Sequence, residues 1–267
     1  MKELTLQQIR NVELDLLNVF DKYCKENNIK YFLSNGTLLG AVKYKGFIPW
    51  DDDIDVFVPR EDYDRLIATF KDSEKYRLFA FEREKAYKFP FAKLCDLTTV
   101  KEEGNTNNGI SLGIDMDIFP LDAWNDDLDK ARKEVKSINR NMFFLGLSKS
   151  KNPSSRTLLK RIVKSFLMIA CKACGSKVFI QNIIKKSKLY KLQGSVYCGC
   201  KSWCIYRERE IIPSEAFADV VEVEFEGNKY PAPVGYDTYL RSLYGDYRQD
   251  PPLDKQKTHH NFKAYKR

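Results

Sequence analysis

The spacing of hydrophobic and polar residues changes along the chain and predicts where helices and strands lie. Apolar residues recur at helical spacing after the N-terminus, which predicts an amphipathic helix with Thr5 and Gln8 at capping-box spacing. Short apolar runs predict strands over residues 29–34, 76–81, 89–95 and 110–119. Helical periodicity predicts helices over residues 61–72, 126–147, 156–190 and 236–243, with breaks near 152–153 and at Gly175. Strict alternation over residues 220–225 before Gly227 and Asn228 predicts a hairpin. These elements predict an α+β fold with a mixed sheet and a helical lobe.

Two carboxylates stand at the start of an apolar strand pattern near residue 55. Because successive strand side chains point to opposite faces, Asp53 and Asp55 are expected to share one face. Such a pair repels itself unless a cation lies between its members, and hard oxygen ligands suit Mg²⁺ or Mn²⁺. The neighbouring Asp51 and Asp52 are left without an assigned role. An acidic loop at a strand entrance is the alternative.

The segment before the acidic pair has the order strand, turn, helix. Gly36 and Thr37 follow the apolar run at 29–34 and precede a helix-compatible stretch. Free backbone N–H groups and the helix dipole at such a position favour a phosphate. The same residues also serve as ordinary turn and N-cap residues.

A third carboxylate lies within the apolar run at residues 110–119. Asp115 and Asp117 are expected on one face of that strand and apolar residues on the other. An acid inside an apolar strand is costly to bury unless a partner or metal compensates its charge. With Asp53 and Asp55, Asp117 therefore predicts a three-carboxylate metal site.

Several blocks in order along the chain resemble the LicD family of phosphorylcholine transferases, which are related to fukutin-type proteins. The resemblance is most specific in the first two blocks and poor between residues 126 and 201. The matching blocks are Gly36-Thr37-Leu38-Leu39-Gly40, residues 46–55, Asp117-Ile118-Phe119-Pro120-Leu121-Asp122, residues 244–247, Pro251-Pro252 and His259-His260.

The resemblance implies a nucleotidyltransferase-like active site. In that superfamily a Gly-Ser or Gly-Thr turn, an Asp-x-Asp pair and a third Asp hold two divalent cations over a nucleotide. Here it implies that Asp53, Asp55 and Asp117 are catalytic and bind Mg²⁺ or Mn²⁺, with Asp117 as general base. Donor and cofactor binding is assigned to Gly36, Thr37, Trp50, Lys93, His259 and His260.

The same resemblance implies the reaction and the organisation of the chain. The expected reaction transfers phosphocholine, or a related alcohol phosphate, from a cytidine diphosphate-alcohol such as CDP-choline to a hydroxyl of a cell-surface glycan or teichoic-acid precursor, with release of CMP. A nucleotidyltransferase-like core is expected over residues 1–125, a basic helical lobe over 126–204, and a C-terminal segment that completes the active site over 205–267. The glycan acceptor is expected to be linked to a lipid.

The charge of the chain is unevenly distributed. The net charge is +8, yet sixteen Lys or Arg and no Asp or Glu lie between Val135 and Arg207, which leaves −8 on the remainder. A basic amphipathic helix near residues 156–167 suits an anionic membrane surface, and a core-facing helix with a solvated basic side is the alternative. Its apolar face is predicted at Leu158, Leu159, Ile162, Val163 and Phe166, and the charges expected to meet lipid are Lys160, Arg161, Lys164, Lys185, Lys186 and Lys188.

Composition bounds the remaining possibilities. With 43% apolar and 13% aromatic residues, the 267-residue chain can bury a full core. The N-terminus lacks an apolar signal core, and the longest apolar run, residues 166–171, is far shorter than the ~20 residues of a membrane span. A cytoplasmic protein, peripheral on the inner face of a membrane, is therefore expected. Reduced cysteines are the default, although Cys171, Cys174, Cys198, Cys200 and Cys204 leave a zinc site open.

Two other functions remain open. The same acids could serve a nucleotidyltransferase that leaves a nucleoside monophosphate on a small molecule or nucleic acid, although nucleic acid is the less favoured partner. A non-catalytic polyanion-binding protein with a vestigial site is the other. Within the transferase hypothesis, choline would be held by cation–π contacts and neutral alcohols by hydrogen bonds. The aromatic residues near the motifs are Tyr44, Phe47, Trp50 and Trp124.

Overall fold

The computed structural model describes residues 2–103, 110–153, 157–257 and 262–267. The α-helices are α1 (Leu6–Glu26), α2 (Asn35–Tyr44), α3 (Arg60–Thr69), α4 (Leu128–Lys149), α5 (Leu158–Cys174), α6 (Ser176–Ser187) and α7 (Tyr236–Tyr244). The strands are β1 (Phe32–Leu33), β2 (Asp55–Pro59), β3 (Tyr76–Phe79), β4 (Ala92–Asp96), β5 (Thr99–Glu103), β6 (Asp115–Ala123), β7 (Tyr197–Gly199), β8 (Ile212–Pro213), β9 (Val220–Phe225), β10 (Asn228–Pro233) and β11 (Phe262–Lys266). Short 3-10 helices span Arg207–Glu210, Ser214–Phe217 and Leu253–Lys255.

A mixed sheet forms the centre of the described chain. Its main path runs β1-β2-β6-β4-β3, and β7 joins it by pairing with β6 and β8. The central pair β2–β6 is parallel, whereas the other pairs are antiparallel. Two further antiparallel pairs, β9–β10 and β5–β11, lie outside this sheet. The α+β fold class predicted from the sequence is confirmed.

The N-terminal helix packs its apolar face on this sheet. In α1, Leu16, Leu17 and Phe20 are fully buried, and the helix contacts β4 and β6. Each such side chain contributes about 1.5–3 kcal/mol of hydrophobic stabilisation. Thr5 and Gln8 form the predicted capping box, since each side chain accepts a hydrogen bond from the other residue's backbone N–H.

Several strand boundaries differ from the sequence prediction. The strand predicted over 110–119 is β6, which begins at Asp115 and continues to Ala123. The strand β5 was not predicted, because a Lys-Glu-Glu run lacks the apolar alternation of a half-buried strand. It is paired with the distant β11. The predicted hairpin is confirmed as β9–β10, with Glu226 and Gly227 at positive φ in its turn.

The helical lobe consists of α4, α5 and α6, and α4 packs against both of the others. The predicted break at Gly175 is confirmed, because this residue separates α5 from α6 with a φ of +82°. Some lysines of the basic stretch form contacts within the folded protein. Lys201 is fully buried and donates to the backbone oxygen of Ala123 at 3.0 Å, and Lys188 pairs with Asp64 at 2.9 Å.

Three other sequence predictions concern the cysteines, a membrane-spanning helix and the division of the chain into domains. All seven cysteine thiols are free, and Cys174 alone among them is exposed. Within the described residues, no helix combines the length and apolar character needed to cross a membrane. The division at residues 125 and 204 stays a prediction.

Candidate active site

Three predicted carboxylates share one wall of a cleft of about 920 Å³. The parallel register of β2 and β6 places Asp55 directly beside Asp117, and the backbone N–H of Asp117 donates to Ile54 at 2.8 Å. Asp53 precedes β2 by two residues and lines the same cleft. Asp51 lines it as well, whereas Asp52 is buried and is not among the described lining residues. The structure therefore brings together the three acids that the sequence selected.

The electrostatic environment of this wall opposes negative charge. Burial raises the pKa of the Asp55 carboxyl well above its usual range, and the charges of Asp53 and Asp117 raise it further. Burial likewise raises the pKa of Asp117, although Lys93 acts in the opposite direction. A cation bound here would relieve this repulsion. Nevertheless, in the described parts of the chain no three His, Cys, Asp or Glu side chains are arranged as a metal-coordinating group.

The predicted phosphate cradle is part of a helix rather than a turn before it. Ser34 is the N-cap of α2, so Gly36 and Thr37 lie in the first helical turn. The Thr37 hydroxyl accepts a hydrogen bond from the Asp55 backbone N–H at 2.8 Å and so ties α2 to β2. A Cβ at Gly36 would lie 2.7 Å from Asp51 Oδ2, so a larger residue there would displace the Asp51 carboxylate. The prediction of a turn was wrong, because α2 already begins at Asn35, despite the positive φ of this residue.

Lys93 lies behind the carboxylate wall. Its side chain is buried, donates to Asp115 at 2.8 Å and also contacts the Asp117 carboxylate. It is not among the described residues that line the cleft. The contact with Asp117 places it beside a predicted catalytic acid, and its assignment to donor binding stays a prediction.

Comparison with known proteins identifies the family. The model of the family described as "LicD/FKTN/FKRP, nucleotidyltransferase domain" matches residues 28–144, which include α2 and all three acids. The chain is 32% identical over 274 residues to the "Lipopolysaccharide cholinephosphotransferase LicD" of Haemophilus influenzae, with 99% of each chain covered. The chain belongs to the LicD family. The resemblance stated from the sequence is thereby confirmed.

Two partial matches fall on uncharacterized rickettsial proteins. One protein of Rickettsia prowazekii is 35% identical over 104 residues, which cover 39% of this chain and 36% of the relative. One of Rickettsia typhi is 40% identical over 73 residues, covering 26% of this chain and 21% of the relative.

Two positioning contacts of this LicD chain were not predicted from its sequence. The Tyr239 hydroxyl donates to Asn35 Oδ1 at 2.9 Å, and the Asn35 side chain forms a hydrogen bond that lowers the pKa of Asp55. Arg10 of α1 donates to the backbone oxygens of Ile48 and Asp51 at 2.7–3.0 Å. Both contacts fix backbone or side chains at the carboxylate wall, and both join segments far apart in sequence.

The LicD cleft is also lined by aromatic residues and a buried acid. Trp50 packs edge-on against Tyr44 at a centroid distance of 6.4 Å, and both line the cleft. The remaining aromatic lining residues are Phe119, Trp203, Tyr206, Tyr244 and Tyr247. Burial raises the pKa of the Glu210 carboxyl to about 8, and its Oε2 atom has no hydrogen-bond partner among the described residues.

Two of the aromatic residues considered for choline lie elsewhere. Phe47 is buried against Phe225, and Trp124 is buried with its indole N–H donating to the backbone oxygen of Glu210 at 2.8 Å. Neither is among the described lining residues. The sequence placed them near the motifs, but their side chains pack into the core.

The C-terminal segment contributes the rim of the cleft. Asp250 accepts a hydrogen bond from Lys43 at 2.5 Å, so this segment is held against α2. Lys255 and Lys257 also line the cleft. His259 and His260 lie outside the described residues, and their assignment stays a prediction.

Proposed function

We propose that this protein transfers phosphocholine from CDP-choline to a hydroxyl of a cell-surface glycan precursor, of the lipopolysaccharide or teichoic-acid type, and releases CMP. The observation that carries the proposal is the 32% identity over 99% of both chains to a cholinephosphotransferase. Similarity of that extent covers the segments that line the cleft and not the carboxylate motif alone. The cleft volume of about 920 Å³ suits a donor of nucleotide size.

The charges that line the cleft favour a donor that binds together with cations. Eight acids and three lysines line the described part of the cleft. Phosphate groups can bind such a surface only with cations between them and the acids, or at the lysines and the N-terminus of α2. The acids are Asp51, Asp53, Asp55, Asp117, Glu210, Asp246, Asp250 and Asp254, and the lysines are Lys43, Lys255 and Lys257.

Divalent cations fit this donor set. Carboxylate oxygens are the ligands that Mg²⁺ and Mn²⁺ prefer, and the raised pKa of Asp55 reflects the charge that a cation would offset. We propose that Asp53, Asp55 and Asp117 hold Mg²⁺ or Mn²⁺, as two ions. Bound there, the ions would neutralise phosphate charge and stabilise the leaving CMP.

Residues of the chain itself accept the proton and hold the catalytic carboxylates in position. The acceptor oxygen forms a bond to the phosphocholine phosphorus while the bond from that phosphorus to the CMP oxygen breaks. The hydroxyl proton passes to a carboxylate oxygen of Asp117, which acts as the general base. Lys93 holds that carboxylate in place, and Asn35 holds Asp55.

The aromatic residues of the lining support choline over glycerol or ribitol as the transferred alcohol. A quaternary ammonium gains cation–π attraction from ring faces and cannot donate hydrogen bonds. Glu210 adds a buried carboxyl to the same lining, and its Oε2 atom has no hydrogen-bond partner within the described part of the chain. A cationic headgroup would offset the charge of Glu210 that burial disfavours.

Replacing Glu210 by Gln is expected to raise the KM for CDP-choline at least about tenfold, because the headgroup loses its counter-charge; tenfold corresponds to ~1.4 kcal/mol. The KM for CDP-glycerol should change little. In the wild type, the pKa of about 8 predicts that CDP-choline binds more tightly as the pH rises through that value. Glu210→Gln should lose this pH dependence.

The matched control is Glu208→Gln, in the same 3-10 helix but half exposed and paired with Arg132. It should behave as the wild type with both donors. Equal KM changes for the two donors in Glu210→Gln would refute the headgroup assignment.

The transfer reaction itself is tested with a panel of cytidine diphosphate-alcohols, Mg²⁺ and a glycan acceptor. We expect acceptor-dependent CMP release that is highest with CDP-choline, abolished by EDTA, and matched by an acceptor mass increase of one phosphocholine. Retention of the CMP moiety on the acceptor would establish nucleotidyl transfer instead. Absence of any CMP release with every donor would contradict the proposal.

A further inference from the structure

The helix α5 presents its apolar side chains to solvent. Residues at the spacing i, i+3, i+4, i+7 and i+10 form one stripe along it, and their side chains are between 44% and 73% exposed. This stripe consists of Leu159, Ile162, Val163, Phe166 and Ile169. The side chain of Leu158 lies outside the described ones. The sequence left open whether this face meets the core, and the structure shows that the described stripe does not.

The opposite side of α5 contacts the protein. Met168 and Cys171 are 4% and 6% exposed and pack with Leu147 of α4. At 100° per residue, Met168 lies about half a turn away from the centre of the apolar stripe. An ordinary surface helix buries its apolar stripe and exposes its polar side. In α5 the apolar stripe faces solvent and the opposite side packs on the protein. The stripe is therefore available to a partner other than the described core.

The charges around α5 indicate what covers it. The stretch between Val135 and Arg207 has sixteen basic residues and no acid. Those with exposed side chains in α5 and in the following helix α6 include Lys160, Arg161, Lys172, Lys177 and Lys185. A second copy of the chain would bring the same positive charges to the contact and be repelled. An anionic bilayer supplies both hydrocarbon for the stripe and negative charge for its surroundings.

We propose that α5 lies in the surface plane of an anionic membrane, with this stripe inserted between the lipid headgroups and acyl chains. The helix has 17 residues, fewer than the ~20 needed to span a bilayer, so it lies along the interface. Lys188, paired with Asp64, belongs to the folded protein rather than to this surface. The proposal rests on α5 and its charges and is independent of the transfer reaction.

Vesicle flotation of the full chain tests the proposal. With vesicles of phosphatidylcholine and 30 mol% phosphatidylglycerol, we expect the wild type to float and Ile162→Ser/Phe166→Ser to bind at least tenfold more weakly. The control Val220→Ser/Val234→Ser removes two exposed apolar residues elsewhere and should bind as the wild type. Both variants should keep the wild-type thermal midpoint, since none of the four side chains is buried.

Insertion is measured separately from adsorption. Phe166→Trp on vesicles with brominated acyl chains should show strong fluorescence quenching, whereas Val234→Trp should match the wild-type background of Trp50, Trp124 and Trp203. Wild type that stays unbound at low salt, or a double serine variant that floats equally well, would overturn the proposal. Absence of quenching in Phe166→Trp would also overturn it, because it would indicate adsorption by charge alone. A wild-type dimer that does not bind vesicles and that the serine changes dissociate would overturn it as well.

Discussion

Asp55→Asn is expected to lower the rate of CMP release at least about a hundredfold, in the range seen when one electrostatic group is removed from an active site. The amide keeps the shape of the carboxylate but loses the charge that would hold a divalent cation. Asp53→Asn is expected to have the same effect, because both acids line the same wall. The measurement is the initial rate of CMP release with CDP-choline and saturating Mg²⁺.

The same substitution should leave the fold intact. Burial and neighbouring acids raise the pKa of Asp55, so its charged form destabilises the native state as the pH rises above the usual carboxylate range. The neutral amide removes this cost, and the thermal midpoint at neutral pH should be equal or higher. The control is Asp129→Asn in the exposed first turn of α4. Activity of Asp55→Asn within tenfold of the wild type would end the metal-site proposal.

The part of the site that could be predicted is the part encoded locally. Strand alternation put Asp53 and Asp55 on one side, and it marked Asp117 as an acid within an apolar strand. The pairing of Asp55 with Asp117 depends on the parallel register of β2 and β6, which are separated by β3, β4 and β5 in the chain. No spacing in the sequence specifies that register.

The unpredicted residues reach the site from distant segments. Tyr239 contacts Asn35 across 204 positions, and Arg10 contacts Asp51 across 41. Each is an ordinary helix residue by pattern, since its role depends on where its helix packs. Glu210 lay in a short charged run that resembles a solvated loop. Its burial becomes visible only when β7 and the neighbouring 3-10 helix are placed in the fold.

The sequence left a second question open, which concerned faces rather than elements. The sequence located α5 and its apolar stripe correctly, but amphipathicity alone does not say which face meets the protein. Packing of Met168 and Cys171 against α4 decided it. The same limitation applies to charge, since Lys188 and Lys201 belong to the basic stretch yet form ion pairs within the fold.

Asp115→Asn is expected to cost about 3–5 kcal/mol of the free energy of unfolding, the usual loss when one partner of a buried ion pair is removed. Asp115 is buried in β6 and accepts from Lys93 at 2.8 Å and from Lys101 at 3.2 Å. The amide would leave both ammonium groups without its charge. The measurement is urea unfolding in EDTA at neutral pH, which separates the fold from any bound ion.

The stabilisation that Asp115 provides is expected to depend on pH. Although burial alone would raise it, Lys101 and Lys93 hold the pKa of Asp115 below its usual range. The stabilisation is therefore complete above the usual carboxylate pKa of ~3.9 and is lost as the pH falls through the lower native value. The difference in unfolding free energy between wild type and Asp115→Asn should shrink in that acidic range. In the double variant with Lys101→Met, part of the loss at neutral pH should be recovered.

The identical change from Asp to Asn thus has opposite expected effects at two positions in the same sheet. At Asp55 the surroundings disfavour the carboxylate, which we propose holds a cation, so its loss is expected to remove activity and spare the fold. At Asp115 two lysines favour the carboxylate, so its loss weakens the fold. An Asp115→Asn protein within 1 kcal/mol of the wild type would show that Lys93 and Lys101 are neutralised elsewhere, and the same measurement on Lys93→Met would then identify which lysine needs Asp115.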